Sequence, residues 1–319
     1  MKIKKRIEYV LSFGPWLTIR GIFKLLYFYC LSKTTINQII IDVFKFKMYV
    51  DLEDKGLSRQ LVRFGMRELD HKFILERINF SNKWILDIGA NIGYYVLLEN
   101  QIYDSAKEIL AVEPMAKNFE LLKKNIELNK LGNKIHPVRS AISGENGSAH
   151  LFTSTSRNLN TFHRSGTVAK HLDGGSEEVP VATIDWLLKD QNIELSDIGL
   201  VRMDIEGHEV VVLDSATILM RENKFFRPHL VFEAHVSRYN QNNNIGPVIN
   251  QLFKLGYKCS YLASSGWSGS RSIKALGYEP IAVIKTDGSF RSIFEDVIEE
   301  HLIHLLLTGG VRTIGLGPR

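Results

Sequence analysis

Short apolar runs alternate along this chain with stretches of helical periodicity, and that alternation sets the expected architecture. Runs bounded by turn residues read as buried strands at Trp84–Asp87, Ile109–Glu113, Ile135–Arg139, Ile198–Asp204, His229–Glu233 and Ile281–Ile284. Helical patterns begin near Ile92 and Met115 and again after Gly207. The second carries Phe119, Leu122, Ile126 and Leu128 at roughly helical spacing, with Gly132 as its stop. Strand and helix in turn are the signature of an α/β fold, a mostly parallel sheet flanked by helices.

The flanks of this pattern are less regular. Residues 1–47 read as a basic amphipathic helical arm, 48–289 as the main domain, and 290–319 as a C-terminal helix (FEDVIEEHLIHLLL) and tail. From Met48 to Arg77 a short strand followed by a helix is expected to cover a cofactor site. Thr153 to Ser176 is rich in Ser, Thr, Asn, Gly and His, without apolar periodicity. A long polar loop of this kind is either a substrate-side lid or plain surface.

Charge changes the picture only at the N-terminus. The net charge is +5, but residues 1–50 hold nine Lys/Arg against Glu8 and Asp42, a net of +7, which leaves −2 for the rest. A nucleic-acid enzyme would concentrate positive charge at its cleft, so no nucleic-acid partner is expected. The arm resembles a secretory signal, yet Glu8, Arg20 and Lys24 interrupt its apolar run and no small-residue cleavage site follows. Its longest uncharged stretch, Tyr9 to Ile19, is too short to span a bilayer. Residues 1–31 are therefore read as a peripheral membrane contact, a helix packed on the domain, or an oligomer contact. Cys30 and Cys259 stand far apart in no metal-ligand spacing, which implies a reducing, cytoplasmic setting, at a membrane face if the arm docks there.

Candidate chemistry gathers where the strands end. In WILDIGANIGYY an acid, Asp87, closes a strand and the turn Gly89-Ala90-Asn91-Ile92-Gly93 feeds a helix. An acidic lip repels pyrophosphate and suits a ligand carrying a cationic centre, which points to S-adenosylmethionine. Gly89 and Gly93 are expected to let the backbone approach that ligand. Glu113 ends the second strand, twenty residues after Gly93, where an acid accepts hydrogen bonds from ribose hydroxyls. Ser140 and Ala141 follow the third strand, where an adenine would lie. The turn matches neither G-x-G-x-x-G nor a Gly-Lys-Ser/Thr phosphate loop.

The fourth strand carries VRMDIEGHE, with Arg202, Asp204 and Glu206 expected on one side. Such a row on a covered strand is functional, or is Arg202 in a structural ion pair with one carboxylate. The fifth, HLVFEAH, puts Glu233 and His235 on a common side, His235 being a candidate general base or relay. His163 and His208 are read as ordinary polar groups. Asp204, Glu206, Glu233 and His235 could chelate a divalent metal, though nothing in their spacing requires one, and no metal is assigned.

The blocks DIGANIGYY, AVEPMAKNFELLKKNIELN, VRMDIEGHEVVVLDSA and RPHLVFEAH resemble those of FkbM-type methyltransferases, from about Met48 to about Ile284. The resemblance implies a Rossmann-like class I methyltransferase fold, S-adenosylmethionine as cofactor, and O-methylation of a sugar hydroxyl in a glycan or natural product. It places Asp87, Gly89, Asn91, Gly93 and Glu113 at cofactor positions and Asp204 near the methyl group. Arg202 departs from the expected Lys, and its planar fork is not a point charge. His235 or Asp204 is then the expected base, with Glu206 holding the acceptor. Two competing readings are a nicotinamide-dependent oxidoreductase on a similar sheet and a non-catalytic, membrane-associated scaffold.

Overall fold

The computed structural model describes residues 15–31, 33–34, 36–154, 161–162 and 172–319. Helix α1 (Pro15–Leu31) precedes a hairpin of β1 (Gln38–Val43) and β2 (Phe46–Asp51), then α2 (Leu57–Phe64) and α3 (Leu69–Leu75). Next, β3 (Trp84–Ile88), α4 (Tyr94–Ile102), β4 (Ile109–Val112), α5 (Ala116–Leu128) and β5 (Ile135–Val138) alternate. A small sheet follows from β6 (Ala141–Ile142), β7 (Gly147–Ser154) and β8 (Leu172–Ala182). Alternation resumes with α6 (Ile184–Asp190), β9 (Ile198–Met203), α7 (Glu209–Glu222), β10 (His229–Glu233), α8 (Ile245–Lys254) and β11 (Tyr257–Ser264). The chain ends in α9 (Trp267–Ala275), β12 (Ala282–Thr286), β13 (Ser289–Val297), α10 (Glu299–Thr308) and β14 (Val311–Pro318).

The main sheet has nine strands in the order β12-β13-β11-β14-β10-β9-β3-β4-β5. Neighbours from β5 to β10 are parallel, and β14 slots in antiparallel between β10 and β11. Chain order therefore reverses between β3 and β9, and ligands of such sheets bind beyond the strand tips at that reversal. Period-two alternation divides the core: Leu86, Ile88, Val201 and Met203 pack on one face with α7 and α8, while Ile85 and Leu200 pack on the other with α4 and α5.

Six predicted strands and three predicted helices are present within a residue or two at most boundaries. The domain limits are not. The limit at residue 47 cuts through β2, and the one at 289 falls at the start of β13. Residues 290–319 are no appended helix and tail, because β13 and β14 sit inside the main sheet and only Glu299–Thr308 is helical. Part of the predicted lid is likewise regular: Leu172–Ser176 belongs to β8, which pairs with β7. Residues 155–160 and 163–171, with His163, lie outside the described residues.

Of the segment from Met48 to Arg77, Glu68 reaches the strand tips, where it meets Asp204 and Glu233, while the β2 end lies elsewhere. It is clasped to α5 by two asparagines four residues apart. Asn125 accepts from Tyr49 N at 2.6 Å and donates to Ile92 O at 2.7 Å and Tyr49 O at 3.2 Å. Asn129 repeats the exchange with Lys47 N and O at 3.1 and 2.8 Å. The two amides thus continue the hydrogen-bond ladder of β2, and Asn125 also pins the Gly89–Gly93 turn. Asn125→Ala should cost about 2–4 kcal/mol, at roughly 1 kcal/mol per buried bond lost plus orphaned backbone groups. The expected outcome in a thermal melt is a Tm lower by roughly 5–10 °C.

Candidate active site

The turn after β3 is held on both sides. Gly89 N and Ala90 N donate to Val112 O at 2.9 and 3.0 Å, joining it to the tip of β4. Gly89, Asn91 and Gly93 all have positive φ (83°, 52° and 92°). A Cβ on Gly89 would stand 2.3 Å from Asp204 O, and one on Gly93 2.9 Å from Leu122 Cδ1. The packing of the turn against the end of β9 and against α5 therefore already requires glycine at both positions.

Beyond this turn opens a cleft of about 550 Å³, its mouth included, lined by Gly89, Asn91, Glu113, Ser140, Ala141, Asp204 and Glu206. Met115, Ile142, Leu151 and Phe162 form its apolar wall. Glu113 is 4% exposed and accepts from Asn91 N at 2.9 Å, Met115 N at 3.0 Å and Asn118 Nδ2 at 3.3 Å. Burial outweighs these bonds and pushes its carboxyl up to about 7. Asn118 Oδ1 is buried at the same wall with no hydrogen-bond partner. A buried acceptor and a carboxyl with spare lone pairs beside an apolar slot fit a ribose diol and a purine ring, so the residues present suit S-adenosylmethionine.

Asp87 and Arg202 lie beneath the cleft. Both are essentially unexposed, with Arg202 Nη1 3.3 Å from Asp87 Oδ1 and Nη2 3.5 Å from Asp204 Oδ2. The guanidinium stacks on the Tyr95 ring at 3.8 Å. Its depth rules out the direct substrate contact that a cation on this strand could suggest; the structural ion pair is what forms. The other Asp87 oxygen receives no N–H and faces the Glu99 carboxyl. Burial, and after it the Asp87 charge, push Glu99 well above the ordinary carboxylate range.

At the edge of the cleft lies a ring of carboxylates around His235. Its Nδ1 is 2.8 Å from Glu209 Oε1, and its Nε2 faces Glu206 Oε2, Asp204 Oδ1 and Glu233 Oε1 at 3.6, 3.7 and 3.8 Å. Burial alone would lower its pKa, but the charges of Glu206 and Glu209 overcome this and raise it well above 6.5. Burial pushes Asp204 up, whereas Arg202 and His235 hold it below the usual range. Arg312 pairs with Glu233 and Glu68 at 2.9 and 2.7 Å, and Arg238 reaches Glu206 at 3.5 Å. Ligand atoms of Asp204, Glu206 and His235, and those of Glu68, Asp204 and Glu233, come close enough together to chelate a cation. Most of these carboxylates already face a guanidinium.

Of the residues named from sequence, Gly89, Asn91, Glu113, Ser140, Ala141, Asp204 and Glu206 share one cleft. Glu233 and His235 meet Asp204 at its edge, while Asp87 and Gly93 act from below. Ser140 turns its hydroxyl to Ala141 O and Pro180 O. His208 lines the cleft, 2.9 Å from Ser143 Oγ and beside the Phe162 ring. Glu209, Asn118, Glu68, Tyr95, Arg238 and Arg312 were missed. Glu209 carried a local signal, an acid in the first turn of a helix: it accepts from Ile205 N and Gly207 N and so clamps the D-I-E-G turn. Arg312 and Glu68 meet across 244 positions, which no local pattern reveals.

Fold, strand order and cleft together define a Rossmann-like class I methyltransferase. The sequence matches the FkbM methyltransferase domain over residues 87–259, and the chain belongs to that family. S-Adenosylmethionine is therefore its cofactor, and the nicotinamide-dependent alternative is overturned. A curated relative, the methyltransferase sdnD of Sordaria araneosa, is 31% identical over 98 residues, which are 30% of this chain and 37% of that protein. An FkbM methyltransferase from Methylobacillus flagellatus KT superposes with a TM-score of 0.40 at 13% identity, over 74% of this chain and 52% of that one. M. jannaschii TYW2, in complex with AdoMet, gives 0.40 at 15% identity over 90% and 89%.

Removing Arg202 would strand the buried Asp87 carboxylate and leave half-buried Asp204 without its guanidinium. Arg202→Met should destabilise the fold by about 3–5 kcal/mol, and Arg202→Lys by less, since it keeps the charge but loses the fork. Urea denaturation of the two variants checks both the size and the order of the effects.

Proposed function

We propose that the protein transfers a methyl group from S-adenosylmethionine to a sugar hydroxyl of a glycan or natural product. One observation carries the reading: Asp204 and Glu206 line the cofactor cleft and also face His235 Nε2, so hydrogen-bond acceptors and a proton acceptor adjoin the donor's site. A ring of carboxylates interleaved with arginines offers the mix of acceptors and donors that a polyol needs. The same ring repels a phosphodiester backbone, which disfavours nucleic acid as acceptor. Unpaired Cys30 and Cys259 support a cytoplasmic setting.

The bound cofactor supplies a methyl group already activated on a sulfonium, so the protein's task is alignment and proton removal. Glu113 and Asn118 accept hydrogen bonds from the ribose side, and Ile142, Leu151 and Phe162 shield the purine side from water. Asp204 and Glu206 orient the acceptor hydroxyl. Asp204, held below the usual range, is a weak base. His235 accepts the proton at Nε2 once it is neutral, with Nδ1–H fixed by Glu209.

Three measurements test this reading. Titration with S-adenosylhomocysteine should show micromolar binding that falls roughly ten- to a hundredfold in Glu113→Ala, the worth of a hydrogen bond to a charged group. Affinity should rise from pH 6 to 8 as the Glu113 carboxylate forms, and should level out in Glu113→Gln. A wild-type affinity that does not change with pH would contradict this role for Glu113.

With a turned-over sugar in hand, the rate should climb with pH as the His235 imidazolium loses its proton, on a limb well above pH 6.5. His235→Gln should remove that limb and lower kcat about a hundredfold or more. An unchanged pH profile in the variant would exclude His235 as the base. Radiolabelled methyl transferred to sugars should survive mild alkali as an ether. Label released as methanol would indicate a carboxyl ester and overturn hydroxyl methylation.

A further inference from the structure

Helix α1 is docked by its less apolar side. Gly21 and Phe28, seven residues apart, are buried, and Lys24 and Leu31 are half-buried. A Cβ on Gly21 would meet Arg63 Cγ at 3.0 Å and the Phe64 ring at 3.3 Å, so the helix presses closely on α2 there. The opposite side carries Ile19, Ile22, Phe23, Leu26 and Tyr27 at the i, i+3, i+4, i+7, i+8 spacing of one helical stripe. These are 49, 48, 68, 56 and 62% exposed. Helices on a soluble surface turn such a stripe inward, and an outward one marks an interaction face.

We infer that this face lies on an anionic lipid surface, with α1 parallel to the membrane plane. Charge selects the occupant. Arg20 and Lys33, both exposed, accompany the stripe, and Lys2, Lys4, Lys5 and Arg6 precede it in a segment of net charge +7 over residues 1–50. A second copy packed face to face would bring these cations against their own counterparts, whereas anionic headgroups neutralise them. Phe23, Tyr27 and Tyr29, the last 60% exposed, are the aromatic types that settle at the headgroup boundary. The helix lies on the membrane and does not cross it: among the described residues no helix is long and apolar enough to span one. The inference does not depend on the acceptor, though it brings the active site near lipid-linked substrates.

The test is flotation of the full-length chain with phosphatidylcholine–phosphatidylglycerol vesicles and with pure phosphatidylcholine vesicles. Partition should favour the anionic vesicles about tenfold or more and fall at high salt. Phe23→Glu/Leu26→Glu should abolish it, with S-adenosylhomocysteine binding and Tm unchanged. Equal partition of the wild type and the double variant would overturn the inference. So would a dimer that the double variant dissolves in the absence of vesicle binding, which would assign the face to a second copy. A Tm lowered sharply in the variant, with vesicle partition unaltered, would assign it to a segment of this chain and overturn the inference equally.

Discussion

A buried guanidinium at the tip of the sheet is the constraint on which the rest of the site depends. Arg202 sits on β9 between Asp87 on β3 and Asp204 just past the end of its own strand, at the point where chain order reverses. An unpaired charge at that depth would cost several kcal/mol, so the three groups must stay together. Their union fixes the separation of the two strand tips. It also sets the place of the Asp204 carbonyl, which occupies the space a side chain on Gly89 would need. The glycine turn, the place of Asp204 and the cleft between them thus follow from one ion pair. Tyr95 completes the pairing from below, its ring face against the guanidinium.

Electrostatics beyond Arg202 divide the site into two halves with opposite needs. Around Glu113 burial outweighs the backbone N–H groups and the Asn118 amide that face it, and the carboxyl is pushed up to about 7. It can meet hydroxyl groups as an acceptor without holding a full charge in the empty cleft. Around His235 the carboxylates are dense, and their charges raise the affinity of the imidazole for its proton well above the ordinary value. Its proton offsets part of their mutual repulsion, so emptying the site of that proton costs energy. An acceptor hydroxyl placed among Asp204, Glu206 and His235 would meet an environment already organised around one extra proton, which is what a site that must remove and store one requires.

The legible part of the molecule is the part built from neighbours in sequence. Strand β3, its turn and α4 are contiguous, and so are β4 with Glu113 and β9 with Asp204 and Glu206. Period-two and 3.6-residue patterns locate each of them, and the rule for strand tips brings them together. The acceptor half was legible only in part. Glu233 and His235 stood out as polar residues at the end of an apolar run, but their partners come from elsewhere: Glu68 from a left-handed position before α3, Arg312 from the last strand, Arg238 from the turn after β10. The C-terminal segment misled for a physical reason. FEDVIEEHLIHLLL has helical spacing from Glu299 onward, but the residues before it earn their strand conformation by pairing with β11 and β12, which is tertiary context and not propensity.

That division bears on how such an enzyme changes its substrate. The cofactor half is bound into the core: altering Gly89, Gly93 or Asn125 disturbs packing between β9, α5 and the N-terminal hairpin before it touches a ligand. The acceptor half hangs from side chains of α3, β10, β14 and the connection after β10, joined by ion pairs that tolerate exchange so long as charges stay matched. Backbone packing fixes the turn and the strand tips, whereas charges from distant segments complete the ring around His235, so the two halves answer to different parts of the sequence.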